Sequence, residues 1–233
     1  MSAGNPYRII ELAGIPGAGK TTLMAALEQQ LDRVDWIILE NYQYNRDLGF
    51  FLRNLLILLP IILKARGDSD QRLSRRDVAQ MIMLNGLPNV ARRKVFKEHK
   101  TVIFEEGHLA LISQLHRRNS HLLNTPSAQQ WWKIICRKWA EMLDLVIELD
   151  APADVIVARI RNREDQYEVA DMSDEVAIKY FEEIQDTQER LLVSLESLPN
   201  APRIIRFNSL KNDPEQIKNE LITIFENYKN TKL

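Results

Sequence analysis

Eight residues, Gly14-Ile15-Pro16-Gly17-Ala18-Gly19-Lys20-Thr21, constrain this chain more than any other stretch. They fit the pattern G-x-x-x-x-G-K-[ST], in which glycines let the backbone curl and aim successive N–H groups at phosphate oxygens. The apolar run Ile9-Ile10-Glu11-Leu12-Ala13 before them reads as a buried strand, and Thr22-Leu23-Met24-Ala25-Ala26-Leu27 after them reads as a helix. That strand–loop–helix context is the one a phosphate-binding P-loop requires, and the helix N-terminus adds its partial positive charge. Lys20 is expected to reach the β- and γ-phosphates of a nucleoside triphosphate, and the Thr21 hydroxyl to bind Mg2+. Gly14, Gly17, Ala18, Gly19, Lys20, Thr21 and Thr22 are the expected nucleotide-binding residues. The loop alone leaves open what happens to the γ-phosphate.

Further apolar segments follow at intervals. Asp35–Glu40, Thr101–Glu105, Asp144–Asp150 and Pro202–Phe207 read as strands two to five. Between them lie helical patterns, including one that starts near Thr125, an expected N-cap, and carries Trp131, Trp132 and Trp139 as core residues. Ser173-Asp174-Glu175 starts a long amphipathic helix, and Asp213-Pro214-Glu215 starts the last one. Apolar strands alternating with helices predict a three-layer α/β fold with a five-stranded parallel sheet covered on both faces. Residues 42–100 read as a helical insertion between strands two and three, with breaks at Gly67–Asp70 and at Gly86-Leu87-Pro88. The whole of 1–233 is expected to form a single domain.

Net charge is −1 and the isoelectric point about 6.5, so no electrostatic footprint for nucleic acid is expected. A single cysteine, Cys136, precludes an internal disulfide and fits a reducing compartment; it reads as a small buried hydrophobe. No signal peptide pattern is visible, so a cytoplasmic location is expected. The apolar run from Phe50 to Leu63 is interrupted by Arg53 and Asn54, is broken at Pro60 and ends at Lys64. It is too short to span a bilayer and reads as a helix buried in the core or in a homodimer interface.

Ligands on such sheets bind at the carboxyl ends of the strands, which places Glu40 and Glu105 beside the P-loop. Glu105 is the expected Mg2+ ligand, with Thr21. Glu106, a second acid after the strand, fits a role in orienting water. Glu40 is placed to accept a proton from an attacking hydroxyl. Arg159-Ile160-Arg161-Asn162-Arg163 reads as a lid over the triphosphate; helical spacing puts Arg159 and Arg163 on one face and Arg161 on another. Arg75, Arg76, Arg92, Arg93 and His108 read as ordinary surface groups, with contact to an anionic or sugar acceptor as the alternative.

In this order the segments resemble the P-loop kinases of the thymidylate kinase and deoxynucleoside kinase superfamily. Arg8 to Thr22 is similar to the family's start, and Leu39-Glu40-Asn41 to its Glu-Pro pair after strand two. Phe104-Glu105-Glu106-Gly107 is similar to its Glu-Arg-Ser or Asp-Arg-Tyr segment, residues 159–170 to its lid, and Tyr180–Ile184 to the helix that follows. The resemblance implies strand order 2-3-1-4-5, Glu40 as the base toward a nucleoside hydroxyl, and adenine beside Asn208-Ser209-Leu210. The chain departs from the pattern where Asn41 replaces the proline and Glu106 the arginine. The expected function is an ATP- and Mg2+-dependent kinase acting on a nucleoside or nucleotide. A kinase for a sugar, antibiotic or other metabolite is one alternative, and an ATPase or nucleotide-dependent switch with a protein partner is another.

Overall fold

The sheet is built outward from its most buried strand. β1 (Ile9–Ala13) has all five residues buried, as a central parallel strand covered on both faces must. The computed structural model describes residues 9–31, 36–39, 48–67, 73–98, 100–105, 107–123, 126–162, 169 and 171–230. β2 (Trp36–Leu39), β3 (Thr101–Phe104), β4 (Leu145–Asp150) and β5 (Arg203–Asn208) join β1 in the order β2-β3-β1-β4-β5, and every pairing is parallel. Glu11 lies opposite Phe104 and Ala13 opposite Glu148, so the loops after β1, β3 and β4 emerge together at one edge.

Alternation along β1 divides the core. Ile10 and Leu12 pack with Leu23, Leu27 and Phe225 from α1 (Lys20–Glu28) and α8 (Pro214–Asn230). Ile9 and Ala13 face the other layer, where α3 (Arg75–Glu98), α4 (His108–Leu123) and α5 (Pro126–Ala140) bury Leu84, Ile112 and Trp139. α6 (Ala153–Arg161) and α7 (Asp174–Glu196) enclose a third cluster around Ile156, Ile160 and Phe181 beneath the P-loop residue Ile15. Helix starts follow their caps. The Asp213 carboxylate accepts from Gln216 N at 2.9 Å while Gln216 Oε1 accepts from Asp213 N at 3.3 Å, a reciprocal box. Thr125, the expected cap of α5, lies outside the described residues.

The insertion is helical, as its periodicity predicts, but its described residues form two unbroken helices, α2 (Leu48–Gly67) and α3. The breaks expected at Pro60 and at Gly86-Leu87-Pro88 do not occur. Pro60 and Leu56 are exposed, so the carbonyl that loses its partner lies on the solvent side of the helix. Pro88 is buried, and the carbonyl it leaves free, that of Leu84, accepts the indole N–H of Trp139 at 2.9 Å. The ammonium of Lys138 donates to the next carbonyl, Asn85 O, at 2.5 Å. α5 thus completes the hydrogen bonding of α3. α2 and α3 approach so closely that a Cβ on Gly86 would lie 2.3 Å from the Phe50 ring. α2 is buried only in part: Asn54, Leu58 and Ile62 face inward, while Leu48, Leu52, Leu56 and Leu63 are exposed. No described helix is long and apolar enough to cross a membrane. Cys136 is half-buried against the main core, and burial pushes its thiol up to about 12.

Candidate active site

The loop after β1 curls because its glycines adopt conformations other residues avoid: Gly14, Gly17 and Gly19 have φ of 145°, 86° and 102°. At Gly14 space is decisive as well, since an added Cβ would sit 2.6 Å from the carbonyl oxygen of Leu149 in β4. Ala18 and Gly17 are buried, Lys20 is half-buried, and Thr21 and Thr22 are exposed at the start of α1. The Lys20 ammonium folds back over the loop and donates to Gly14 O at 2.6 Å and Ile15 O at 3.2 Å. The Thr21 hydroxyl donates to Glu105 Oε1 at 2.9 Å. The two residues expected to hold Mg2+ therefore meet across the gap between α1 and the end of β3. A hydroxyl and a carboxylate oxygen suit a hard cation. Among the described residues no group of three or more His, Cys, Asp or Glu is placed to hold a metal ion.

A cavity of about 320 Å3 opens from the Lys20–Thr21 end of the loop. Its far wall is Arg76 on α3 and one face of α4: Ala110, Ser113, Gln114, Arg117 and Arg118. Of the cations weighed as acceptor contacts, only Arg76 lines it. Arg92 and Arg93 lie farther along the same helix; Arg93 is 17 residues from Arg76, about 26 Å at 1.5 Å per residue. Arg117 and Arg118 were not anticipated. The spacing i, i+3, i+4, i+7, i+8 of small and polar residues behind the Glu105 segment is the signal that points to them. Arg118 Nε pairs with the buried Asp77 at 2.9 Å and its guanidinium also donates to Gln80, whose own amide donates to Gln114 Oε1 at 2.6 Å. Burial opposes ionisation of Asp77, but hydrogen bonds from the Ser74 hydroxyl, Arg118, Ser74 N and Asn119 outweigh it and hold the carboxyl below its ordinary range. α4 kinks at Asn119, beside these arginines.

His108 is not an acceptor contact. It is 2% exposed, stacks on Trp139 with ring centroids 5.3 Å apart, and places Nδ1 3.4 Å from Glu11 Oε2. Glu11 is the one carboxylate inside β1. Its Oε1 accepts from Leu109 N at 2.7 Å, capping α4 from within the sheet and anchoring the segment that follows Glu105.

Arg159 sits on the opposite flank of the loop. Its guanidinium donates to Gly17 O at 3.2 Å, Ser209 Oγ at 2.9 Å and Ser209 O at 3.0 Å. It shares a cavity of about 420 Å3 with Thr22, Ser209, Asn212 and Ile217. Arg161 turns away to Asp174 and the carbonyl of Met172. Glu40, Glu106 and Arg163, with most of 159–170, lie outside the described residues.

A parallel sheet of this order with a glycine-rich loop after its central strand defines the P-loop class of α/β proteins. Within that class the structure has a deoxynucleoside kinase- and thymidylate kinase-like fold. It is similar to deoxyadenosine kinase from M. mycoides with bound dCTP, at 17% identity over 93% of this chain and 98% of that one, with a TM-score of 0.52. The same enzyme with bound dATP aligns at 16% identity over 93% and 98%, with a TM-score of 0.52. Thymidylate kinase from Candida albicans aligns at 14% identity over 96% and 93%, with a TM-score of 0.54. No protein-family model matches the chain, and no curated protein matches it in sequence.

Proposed function

We propose that the protein is an ATP- and Mg2+-dependent kinase that transfers the γ-phosphoryl group to a nucleoside or nucleotide. The observation that carries this reading is the cavity that joins Lys20, Thr21 and Glu105 to a polar wall on α3 and α4, outside the P-loop. A water-activating ATPase has no need of such a wall; a two-substrate enzyme does. Thr21 and Glu105 would hold the metal, which would supply positive charge to neutralise that developing on the phosphate oxygens. Lys20 would leave the carbonyls of Gly14 and Ile15 and engage the β- and γ-phosphates. The N–H groups of Gly17 and Gly19 and the start of α1 would cradle the phosphates, with Ala18, whose N–H closes the turn on Ile15 O at 3.2 Å, between them and Thr22 beside them. Arg159, tied to Gly17 and Ser209, would brace the base side, while Arg163 closes from the lid and excludes water. Glu40 would take the proton from the acceptor hydroxyl. Arg76, Arg117 and Arg118, with Gln80 and Gln114 behind them, would hold the acceptor, and the charge of the arginines favours one that is anionic or rich in hydrogen-bond acceptors.

ADP release from ATP and Mg2+, measured across a panel of nucleosides, nucleotides and sugars, tests the proposal. Acceptor-dependent release by a nucleoside or nucleotide supports it. Release that ignores the acceptor points to a water-activating ATPase, and release only with a sugar moves the acceptor class.

A further inference from the structure

A second cavity, of about 500 Å3, opens between the N-terminal half of α2 and the C-terminal half of α3. It lies toward the end of α3 remote from Arg76, so it is not part of the P-loop site. Its inner wall is Phe50, Asn54, Gly86 and Val90. Both polar atoms of the Asn54 side chain are engaged: its Nδ2 donates to Phe50 O at 2.8 Å and its Oδ1 accepts from Asn85 Nδ2 at 2.8 Å. What the cavity offers a ligand is largely apolar surface within and cationic donors at the rim. Those donors are Arg53 from α2 and Arg93, Lys94 and Lys97 from α3.

Only one of the four is neutralised. Lys94 pairs with Glu98 at 2.7 Å, and among the described residues Arg53, Arg93 and Lys97 have no carboxylate partner. α2 has no acid anywhere in its sequence. The excess extends behind the wall, where burial first, then repulsion from Arg92 and Arg53, makes Lys138 easier to deprotonate. A protein of net charge −1 thus gathers cations at this opening as well as at the P-loop cavity. Like charges held together at a concave surface raise the local concentration of counter-ions. Guanidinium forks match phosphate oxygens in pairs, and the volume falls in the range of small-molecule sites.

We propose that this cavity binds a phosphate-bearing small molecule, gripped by Arg53, Arg93 and Lys97, with its organic part against Phe50 and Val90. The assignment is independent of the kinase reading.

The test is calorimetric titration of inorganic tripolyphosphate into the full chain carrying Lys20→Ala, which weakens competition from the P-loop. In that background Arg93→Gln with Lys97→Gln should weaken binding by about fivefold or more. The control pair Lys179→Gln with Arg190→Gln removes the same charge from α7 and should leave binding unchanged. All four positions are exposed, and matching melting temperatures will establish that the variants are folded. The proposal is overturned if the Lys20→Ala chain does not bind tripolyphosphate, if the Arg93/Lys97 pair costs less than fivefold, or if the control pair costs as much. It is also overturned if the chain sediments with phosphatidylglycerol vesicles but does not bind tripolyphosphate, since the cations then serve a lipid surface.

Discussion

Replacing Trp139 with Phe isolates one hydrogen bond on which the unbroken course of α3 depends. Phe keeps a ring beside Phe104 and His108, whose centroids each lie 5.3 Å from that of Trp139. What is lost is the N–H that satisfies Leu84 O, the carbonyl freed by Pro88. A buried carbonyl left without a partner costs about 1–3 kcal/mol. The smaller ring adds about 1 kcal/mol for the space left at a fully buried position. The total, about 3 kcal/mol, corresponds to a fall in Tm of about 6–12 °C for a domain of this size. The two parts separate in a double-mutant cycle. Pro88→Ala restores an N–H four residues beyond Leu84, so in that background Trp139→Phe should cost only the ring term. The effect of Pro88→Ala itself cancels, and the coupling should equal the carbonyl cost, about 1–3 kcal/mol. Urea unfolding followed by far-UV circular dichroism measures it without relying on tryptophan fluorescence. A coupling below about 0.5 kcal/mol would refute the account of how α3 passes through Pro88.

Lys20→Ala should lower phosphoryl transfer by about a hundredfold or more while leaving the circular dichroism spectrum unchanged; retained turnover would remove the P-loop from the chemistry. Glu40→Gln should cut transfer by about 10^2- to 10^4-fold with ATP binding retained, and transfer at the wild-type rate would show that Glu40 is not the base. Asp77→Asn should cost about 2 kcal/mol at pH 7, because Arg118 and Ser74 lose their anionic partner. The sign of its pH dependence follows from the depressed carboxyl of the folded state. That contribution is fully present above the unfolded value near 3.9 and is lost as pH falls through the folded one. The wild-type advantage in urea should therefore narrow between pH 5 and pH 2, and an advantage that stays constant would mean the ionised carboxylate is not what the network uses.

The features legible in the sequence are those whose cause is local. A parallel strand buried on both faces is a mostly apolar run, so β1, β3 and β4 stand out, and the P-loop carries its own backbone requirements in Gly14, Gly17 and Gly19. The meeting of Thr21 with Glu105 follows from the topology, because the loop after β1 leads to Thr21 at the start of α1 and β3, the neighbouring parallel strand, leads directly to Glu105. The illegible features depend on residues far along the chain. Gly86-Leu87-Pro88 is a helix break by any local rule and is overruled by an indole 55 residues beyond the carbonyl it serves. His108 has the local marks of a ligand, a polar residue just past an acidic strand end, yet it is buried against Trp139 and beside Glu11, 97 positions earlier. Arg159 has the spacing of a lid residue, and only the return of β5 beside β4 brings Ser209 to meet its guanidinium.

Glu11 gives the converse case. An acid between Ile10 and Leu12 in a fully buried strand is costly unless its oxygens are partnered, so its presence already implies that some donor must come to it. The donor is the backbone of Leu109 at the start of α4, and the reach is so short that a Cβ on Gly107 would lie 2.5 Å from the carboxyl carbon. β1 carries the P-loop at its end, and the segment clamped by Glu11 carries Glu105. One buried carboxylate therefore ties β1, whose loop leads to Thr21, to the segment after β3, where Glu105 lies; the two side chains meet at 2.9 Å. A polar residue out of place in an apolar run is, for this reason, a sharper pointer to the site than the surface arginines that flank it.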